Sequence, residues 1–265
     1  MPHPLRLMAV LAHPDDESLG CGGTLAKYAA EGVETYLVTA TLGERGWQGD
    51  PADDPGLAAL ACVREAELRC AVAILGIREL ALLGYIDGDL DQADSREAAG
   101  RIAAHLRRLR PQVVITFGPE GAYGHPDHIA ICQFTLQACI LAQQPDGDQP
   151  GHRVDKLYYL ATDQPLADVY LAIFGDISMA VDGVTRLPYW LPDWQVSALI
   201  DATNYWQQTW AACRCHASQL PPSDVLDSIP DETHRFLWGY QPFVRAFSFV
   251  NRGHTRETDL FEGLR

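Results

Sequence analysis

The feature that most restricts the fold is an alternation of short apolar runs with helical periods along the first 142 residues. Leu7-Met8-Ala9-Val10-Leu11-Ala12 is an apolar run of strand length, and Ser18 to Ala30 reads as a helix ended near Gly32. Val33 to Thr41 supplies a second strand. From Leu57 to Leu75 the apolar residues Leu57, Leu60, Ala61, Leu68, Ala71, Val72 and Leu75 recur with a helical period, and Gly76 closes the segment. A third strand, Glu79 to Leu83, follows at once. Ser95 to Arg110 reads as an amphipathic helix stopped by Pro111, Gln112 to Phe117 as a β-branched core strand, and Pro126 to Ala142 as helix again.

Strand and helix alternating in this way imply βαβ units. The expected fold class is α/β: a Rossmann-like, mostly parallel sheet with helices on both faces, in a single domain. The 265 residues, 47% of them apolar, suffice for one such domain over 1–265. Residues 1–142 would form its core, and 143–265 would add substrate-shaping loops and C-terminal elements. Gln143 to Arg153, rich in Gln, Asp, Pro and Gly, reads as a surface loop. Beyond it the pattern weakens to a strand over Lys156 to Ala161, a helix within Gln195 to His216, and a final strand over Pro242 to Phe249.

Two polar motifs stand out against this frame: His13-Pro14-Asp15-Asp16-Glu17 after the first strand and Gly124-His125-Pro126-Asp127-His128 after the fourth. Ligands of open parallel sheets sit beyond the carboxyl ends of the strands, where the strand order reverses. Both motifs are therefore expected on one rim.

Together they suit metal chemistry. A catalytic zinc site needs three protein ligands and one open position, and His13, Asp16 and His128 form such a set. The spacing from His13 to Asp16 lets a loop leaving a strand turn both side chains towards one ion. Metal-assisted amide hydrolysis also needs a proton acceptor and donors for a tetrahedral oxyanion. Asp15, beside a ligand, can take the proton of a water whose pKa the metal lowers towards about 7. His125 suits an acid or oxyanion-stabilising role, with Asp127 orienting its ring. The structural alternative for Asp15 and Asp127 is N-capping of the helices that follow.

These residues resemble the PIG-L or LmbE-like N-acetylglucosaminyl deacetylases. The first family signature, A-H-P-D-D-E with a small-residue helix start, matches Ala12 through Glu17 and Gly20 to Thr24; the second, G-H-x-D-H, matches Gly124 through His128. Thr39 to Gly46, the Arg64-Glu65-Ala66-Glu67 stretch, Leu75-Gly76, Ile200-Asp201, Tyr205-Trp206 and His216-Ala217-Ser218-Gln219 extend the likeness over most of the chain. The resemblance implies a zinc ion, with Fe2+ as an alternative, held by His13, Asp16 and His128. It implies Asp15 as general base, His125 as acid or oxyanion partner supported by Asp127, and Tyr123 polarising the acetyl carbonyl. Arg64 and Glu44 would lie on the sugar side of the pocket. The implied substrate is a small N-acetylglucosamine conjugate; larger thiol-sugar amides are the alternative within the family.

Two histidines and a carboxylate also form the facial triad of non-haem iron oxygenases, and a non-catalytic sugar-binding module would keep the pocket without the reaction. The surplus of acid-base groups disfavours the first, and the complete catalytic set disfavours the second. The formal charge of −15, from 35 acids and 20 bases, argues against nucleic acid as a partner. With neither a signal-peptide pattern nor an apolar run of membrane-spanning length, a soluble cytoplasmic protein is expected; a homo-oligomer is compatible with the sequence.

The remaining polar residues take plainer readings. Seven cysteines without a C-x-x-C pair suggest reduced, mostly buried thiols, including those of Cys213-Arg214-Cys215. His3, His105, His152, His234 and His254 read as surface residues, and His216 as a structural hydrogen-bonding group. Trp190, Trp194, Trp206 and Trp210 can be arranged as a sugar-stacking wall, but the helical spacing of the last two favours core or subunit contact.

Overall fold

The computed structural model describes residues 4–181, 183–220, 223–251 and 255–265. In chain order its elements begin with β1 (Arg6–Leu11), α1 (Asp16–Ala30), β2 (Glu34–Thr39), α2 (Leu57–Leu75), β3 (Glu79–Leu82), α3 (Ser95–Leu109) and β4 (Val113–Thr116). There follow α4 (Gly121–Gly124), α5 (Pro126–Leu141), β5 (Lys156–Leu160), α6 (Gln164–Phe174), and the hairpin of β6 (Met179–Val181) with β7 (Val184–Arg186). The chain closes with β8 (Ala198–Asp201), α7 (Trp206–Cys213), α8 (Ser223–Asp227), α9 (Asp231–Gly239) and β9 (Tyr240–Ser248).

Seven strands form one sheet in the order β3-β2-β1-β4-β5-β9-β8. The five from β3 to β5 are parallel, in register Met8 to Tyr36 and Met8 to Val114 at the centre. Pairing across β5–β9 and β8–β9 is antiparallel, so the sheet is mixed at one edge. Helices cover both faces: α3 packs on α5, while α1, α2, α7 and α9 pack together. One apolar cluster runs from Leu7 to Phe261, drawing both halves of the chain into a single core. No helix among the described residues is long and apolar enough to cross a membrane.

The chain leaves β1 towards β2 and β3 on one side and returns to β4 on the other. The strand order thus reverses between β1 and β4, and the two polar motifs follow those two strands. The small residues at the start of α1 have a steric reason. A Cβ on Gly23 would stand 2.6 Å from the Trp238 carbonyl oxygen, so α1 can approach the last turn of α9 only without a side chain there.

Several expectations change. The region 195–216 contains β8 as well as α7. His152 and His234 are buried rather than on the surface: His152 Nε2 lies 2.7 Å from the Pro111 carbonyl, and His234 Nδ1 accepts from Trp238 Nε1 at 2.9 Å. His105 is half-buried, and His3 and His254 lie outside the described residues. Trp206 and Trp210 pack on His234, and Trp210 stacks on Trp238, so they belong to a second small apolar cluster. Trp194 points outward at 79% exposure. Cys21, Cys132, Cys139 and Cys213 are buried free thiols, but Cys70 and Cys215 form a disulfide with Cα atoms 6.0 Å apart. Their 145-residue separation hides that pairing from the sequence, and packing of α2 on α7 creates it.

Candidate metal centre

His13 leaves the end of β1, Asp16 opens α1, and His128 sits in the first turn of α5. All three are at most 9% exposed. His13 Nδ1 lies 3.2 Å from His128 Nε2 and 3.8 Å from Asp16 Oδ2, and His128 Nε2 lies 3.6 Å from Asp16 Oδ1. Two nitrogens bound to a tetrahedral zinc at about 2.0–2.1 Å stand roughly 3.3 Å apart, so this spacing fits a shared ion. Asp16 Oδ2 accepts the backbone N–H groups of Ala12 and His13 at 3.1 and 2.8 Å, which fixes the carboxylate and leaves Oδ1 facing His128.

The other nitrogen of His13 meets two carboxylates. Nε2 lies 3.1 Å from Asp87 Oδ1 and 3.2 Å from Asp127 Oδ2. Those acids are themselves held: Asp127 accepts from the backbone N–H groups of Gly88 and Leu90, and Asp87 from that of Arg45. A histidine that donates Nε2–H to carboxylates presents Nδ1 to a metal, the usual arrangement behind a ligating imidazole. Nitrogens of His13, His125 and His128 also lie within 4.8 Å of one another. His125 is partly committed elsewhere, since its Nδ1 accepts the Asp127 N–H at 3.1 Å and caps α5. Its neutral ring then carries the proton on Nε2.

Electrostatics agree with a cation-binding site. Burial pushes His13 down, but the bonds to Asp127 and Asp87 and the charge of Asp16 outweigh it and raise its pKa to about 10, so a metal at Nδ1 would have to displace a proton held by the surrounding acids. Burial raises Asp16 to about 7, against the pull of His13 and with Asp15 adding to the rise. Burial, then the neighbouring His13 and His125, hold His128 well below the ordinary histidine value, so it stays neutral as a ligand must. Asp87 is pulled down to about 2, because bonding and charge from His13 outweigh its burial.

Asp15 stands at the entry of α1 with φ 111° and ψ −29°, a left-handed conformation rare outside glycine. Its side chain makes no capping bond, and the cap of α5 is His125; neither Asp15 nor Asp127 is the N-cap side chain that the sequence admitted. Asp127 also holds His125 through its backbone N–H, while its carboxylate serves His13. Tyr123 lies edge-on to His125 and His128, with ring centroids 5.7 and 5.4 Å away. Burial, reinforced by Asp16 and Asp15, raises its hydroxyl pKa and keeps it a donor.

Arg64 is buried beside Asp15. It is 3% exposed, on the buried face of α2 with Leu60, Leu68, Ala71 and Leu75, and its guanidinium donates to Gly43 O at 2.8 Å, Pro14 O at 2.5 Å and Asp15 Oδ2 at 3.1 Å. Those bonds turn the guanidinium towards Asp15 and the loop after β2, while its buried Nε has no hydrogen-bond partner among the described residues. Glu44 is half-buried in the loop after β2, and its buried Oε2 has no protein hydrogen-bond partner.

Sequence reasoning missed Asp87; it gave His216 as a structural hydrogen-bonding group but did not name its partner, Glu17. Asp87 follows β3 on the same rim, in Gly84-Tyr85-Ile86-Asp87-Gly88, so its place after a strand was the available signal. Glu17 Oε1 lies 2.7 Å from His216 Nε2, and both are buried. Burial opposes each charge, yet Glu17 raises the His216 pKa and His216 lowers that of Glu17, so the two form an ion pair.

Residues 8–139 match the PIG-L family, described as GlcNAc-PI de-N-acetylase. A 1D-myo-inositol 2-acetamido-2-deoxy-alpha-D-glucopyranoside deacetylase of Streptomyces avermitilis is 35% identical, covering 98% of this chain and 97% of its own. The chain belongs to the PIG-L family. A second enzyme of that description, from Thermobifida fusca, is 37% identical over 97% of this chain and 98% of its own. Among solved structures, the N,N'-diacetylchitobiose deacetylase of Pyrococcus horikoshii superposes with a TM-score of 0.67 at 21% identity, covering 91% of this chain and 83% of that one. A 4-carboxy-2-hydroxymuconate hydratase from Pseudomonas putida shares the fold with a TM-score of 0.66 at 20% identity, over 94% and 99% of the two chains. The fold alone therefore does not set the reaction.

Proposed function

We infer that this PIG-L family chain hydrolyses the acetamide of a small N-acetylglucosamine conjugate, and that 1D-myo-inositol 2-acetamido-2-deoxy-alpha-D-glucopyranoside is its substrate. The observation that carries the reading is the convergence of His13, Asp16 and His128 on one point beside Asp15, in a chain alignable end to end with deacetylases of that inositol glycoside. A divalent ion held by those three residues, zinc or alternatively Fe2+, would polarise the amide carbonyl and lower the pKa of water.

The chain's own residues divide the remaining work. Asp15, held by Arg64, accepts the proton of the attacking water. His125, with Nδ1 occupied by the Asp127 amide, donates from Nε2 to the oxyanion or to the departing amine. Tyr123, kept protonated by burial, adds a second donor to the oxyanion. Asp87 and Asp127 keep His13 turned with Nδ1 towards the ligand set. The products are acetate and a free amine.

The test is acetate release from the inositol glycoside, from free N-acetylglucosamine and from an N-acetylglucosaminyl-malate analogue, before and after chelation and after zinc or Fe2+ is restored. Expected is metal-dependent release with the highest kcat/KM on the inositol conjugate. Turnover unaffected by complete metal removal would refute the reaction, and preference for the malate analogue would refute the substrate.

A further inference from the structure

We propose that Glu17 and His216 are positioning residues for Asp15, clamping its turn from the far end of the chain; this rests on Asp15 being the proton acceptor. Asp15 occupies a backbone conformation unfavourable for a non-glycine residue, so surrounding bonds must impose it. Its main chain is held from below: the Asp15 N–H donates to Glu17 Oε2 at 3.1 Å. The other oxygen of Glu17 accepts from Ser18 Oγ at 2.6 Å and from His216 Nε2 at 2.7 Å. Glu17 is fully buried and His216 is 1% exposed, so both bonds are shielded from bulk water.

His216 lies 199 residues away, just past α7, and its own place is fixed. Its N–H donates to the Cys213 carbonyl at 3.0 Å. Two residues on, Ser218 donates through N and Oγ to the two oxygens of Glu67 at 2.8 and 2.7 Å, and Gln219 Nε2 donates to Gly46 O at 2.9 Å. Glu67 follows Arg64 by one turn of α2, and Arg64 holds the Asp15 carboxylate and the Pro14 carbonyl. The segment from His216 to Gln219 thereby braces both grips on Asp15: the main-chain grip through Glu17 and the side-chain grip through α2. Without His216, the buried Oε1 of Glu17 loses the donor that fixes its orientation, so the carboxylate can turn away. That turn weakens its hold on the Asp15 N–H. The proton acceptor is then misplaced while the metal ligands keep their own bonds.

The test compares His216→Ala, His216→Asn and His216→Gln with wild type and Asp15→Asn, each loaded with metal and corrected for folded fraction. Gln can place a donor where Nε2 stands; Asn is too short. Expected for His216→Ala and His216→Asn are one metal per chain, KM within about twofold of wild type, and kcat lower by about 10- to 100-fold, the scale of a 1 Å displacement of a catalytic group. His216→Gln should recover most of that loss. If His216→Ala does not fold, the Asn and Gln pair decides alone. A folded, metal-loaded His216→Ala or His216→Asn protein with wild-type kcat overturns the proposal, as does equal loss in all three variants. If Asp15→Asn itself keeps turnover, the assignment of Asp15 fails and the clamp falls with it; an inactive Asp15→Asn beside a fully active His216→Ala overturns the clamp alone.

Discussion

His13 uses its two ring nitrogens for different ends, and this division organises the site. Nδ1 faces Asp16 and His128, while Nε2 is held by two carboxylates that are in turn fixed by backbone amides of the loops after β2 and β3. Replacing Asp87 by Asn weakens one of those two holds and should lower metal affinity or activity about 10- to 100-fold, the usual effect of losing a group behind a ligating histidine. Competition with a calibrated chelator reads this directly; unchanged affinity and kcat would show that Asp127 suffices. The residues of the proposed ligand set were legible as a cluster because two motifs, each rich in His and Asp, follow predicted strands. Asp87 was not, because a single aspartate in a loop carries no pattern until the fold brings it against His13. Arg64 was visible as a residue, but its bonds to Pro14, Gly43 and Asp15 were not, because they depend on its place on the buried stripe of α2.

At the scale of elements, α1 carries the first motif and is positioned by what it lacks. Gly23 lies against the Trp238 carbonyl and the Ala202 side chain, where an added Cβ would stand 2.6 and 2.9 Å away. Gly23→Ala should therefore destabilise by about 1–3 kcal/mol, because a backbone carbonyl cannot turn aside as a side chain can. Denaturant unfolding measures it, and a stability equal to wild type would mean that α1 shifts without penalty. The long elements were readable: α2 spans Leu57–Leu75, as its period and Gly76 indicated. The shorter ones were not. β8 has four residues and gains its identity from pairing with β9. α6 did carry a start signal, with Pro165 in its first turn and Asp163 accepting the Leu166 N–H, but the weak pattern around it masked the helix.

Across the whole molecule, the C-terminal residues close the sheet around a buried charge. Lys156 at the start of β5 is fully buried and donates to Glu257 at 2.6 Å, and Glu257 also accepts from Tyr158 at 2.5 Å and from Asn251. Burial alone would raise the Glu257 pKa, but its bonds to Lys156, Tyr158 and Asn251 outweigh it and hold the carboxylate below its ordinary value. A depressed folded pKa gives stability that is present above the unfolded value, about 4.3, and lost as pH falls through the folded one. Glu257→Gln should cost about 3–5 kcal/mol at neutral pH by leaving Lys156 buried without its anion. The gap in stability between wild type and variant should narrow below about pH 4.3; a gap independent of pH would show that the Glu257 charge is not what stabilises the closure. The overall class was legible because alternation alone implies a parallel sheet and a reversal point. The antiparallel edge was not, since β9 reaches β5 only through contacts distant in sequence. The account as a whole is tested most directly by acetate release from the inositol glycoside by Asp15→Asn protein carrying wild-type metal content. Expected is one bound metal per chain with turnover reduced by about 10²- to 10⁴-fold, the contribution of a positioned proton acceptor; turnover within a few-fold of wild type would contradict it.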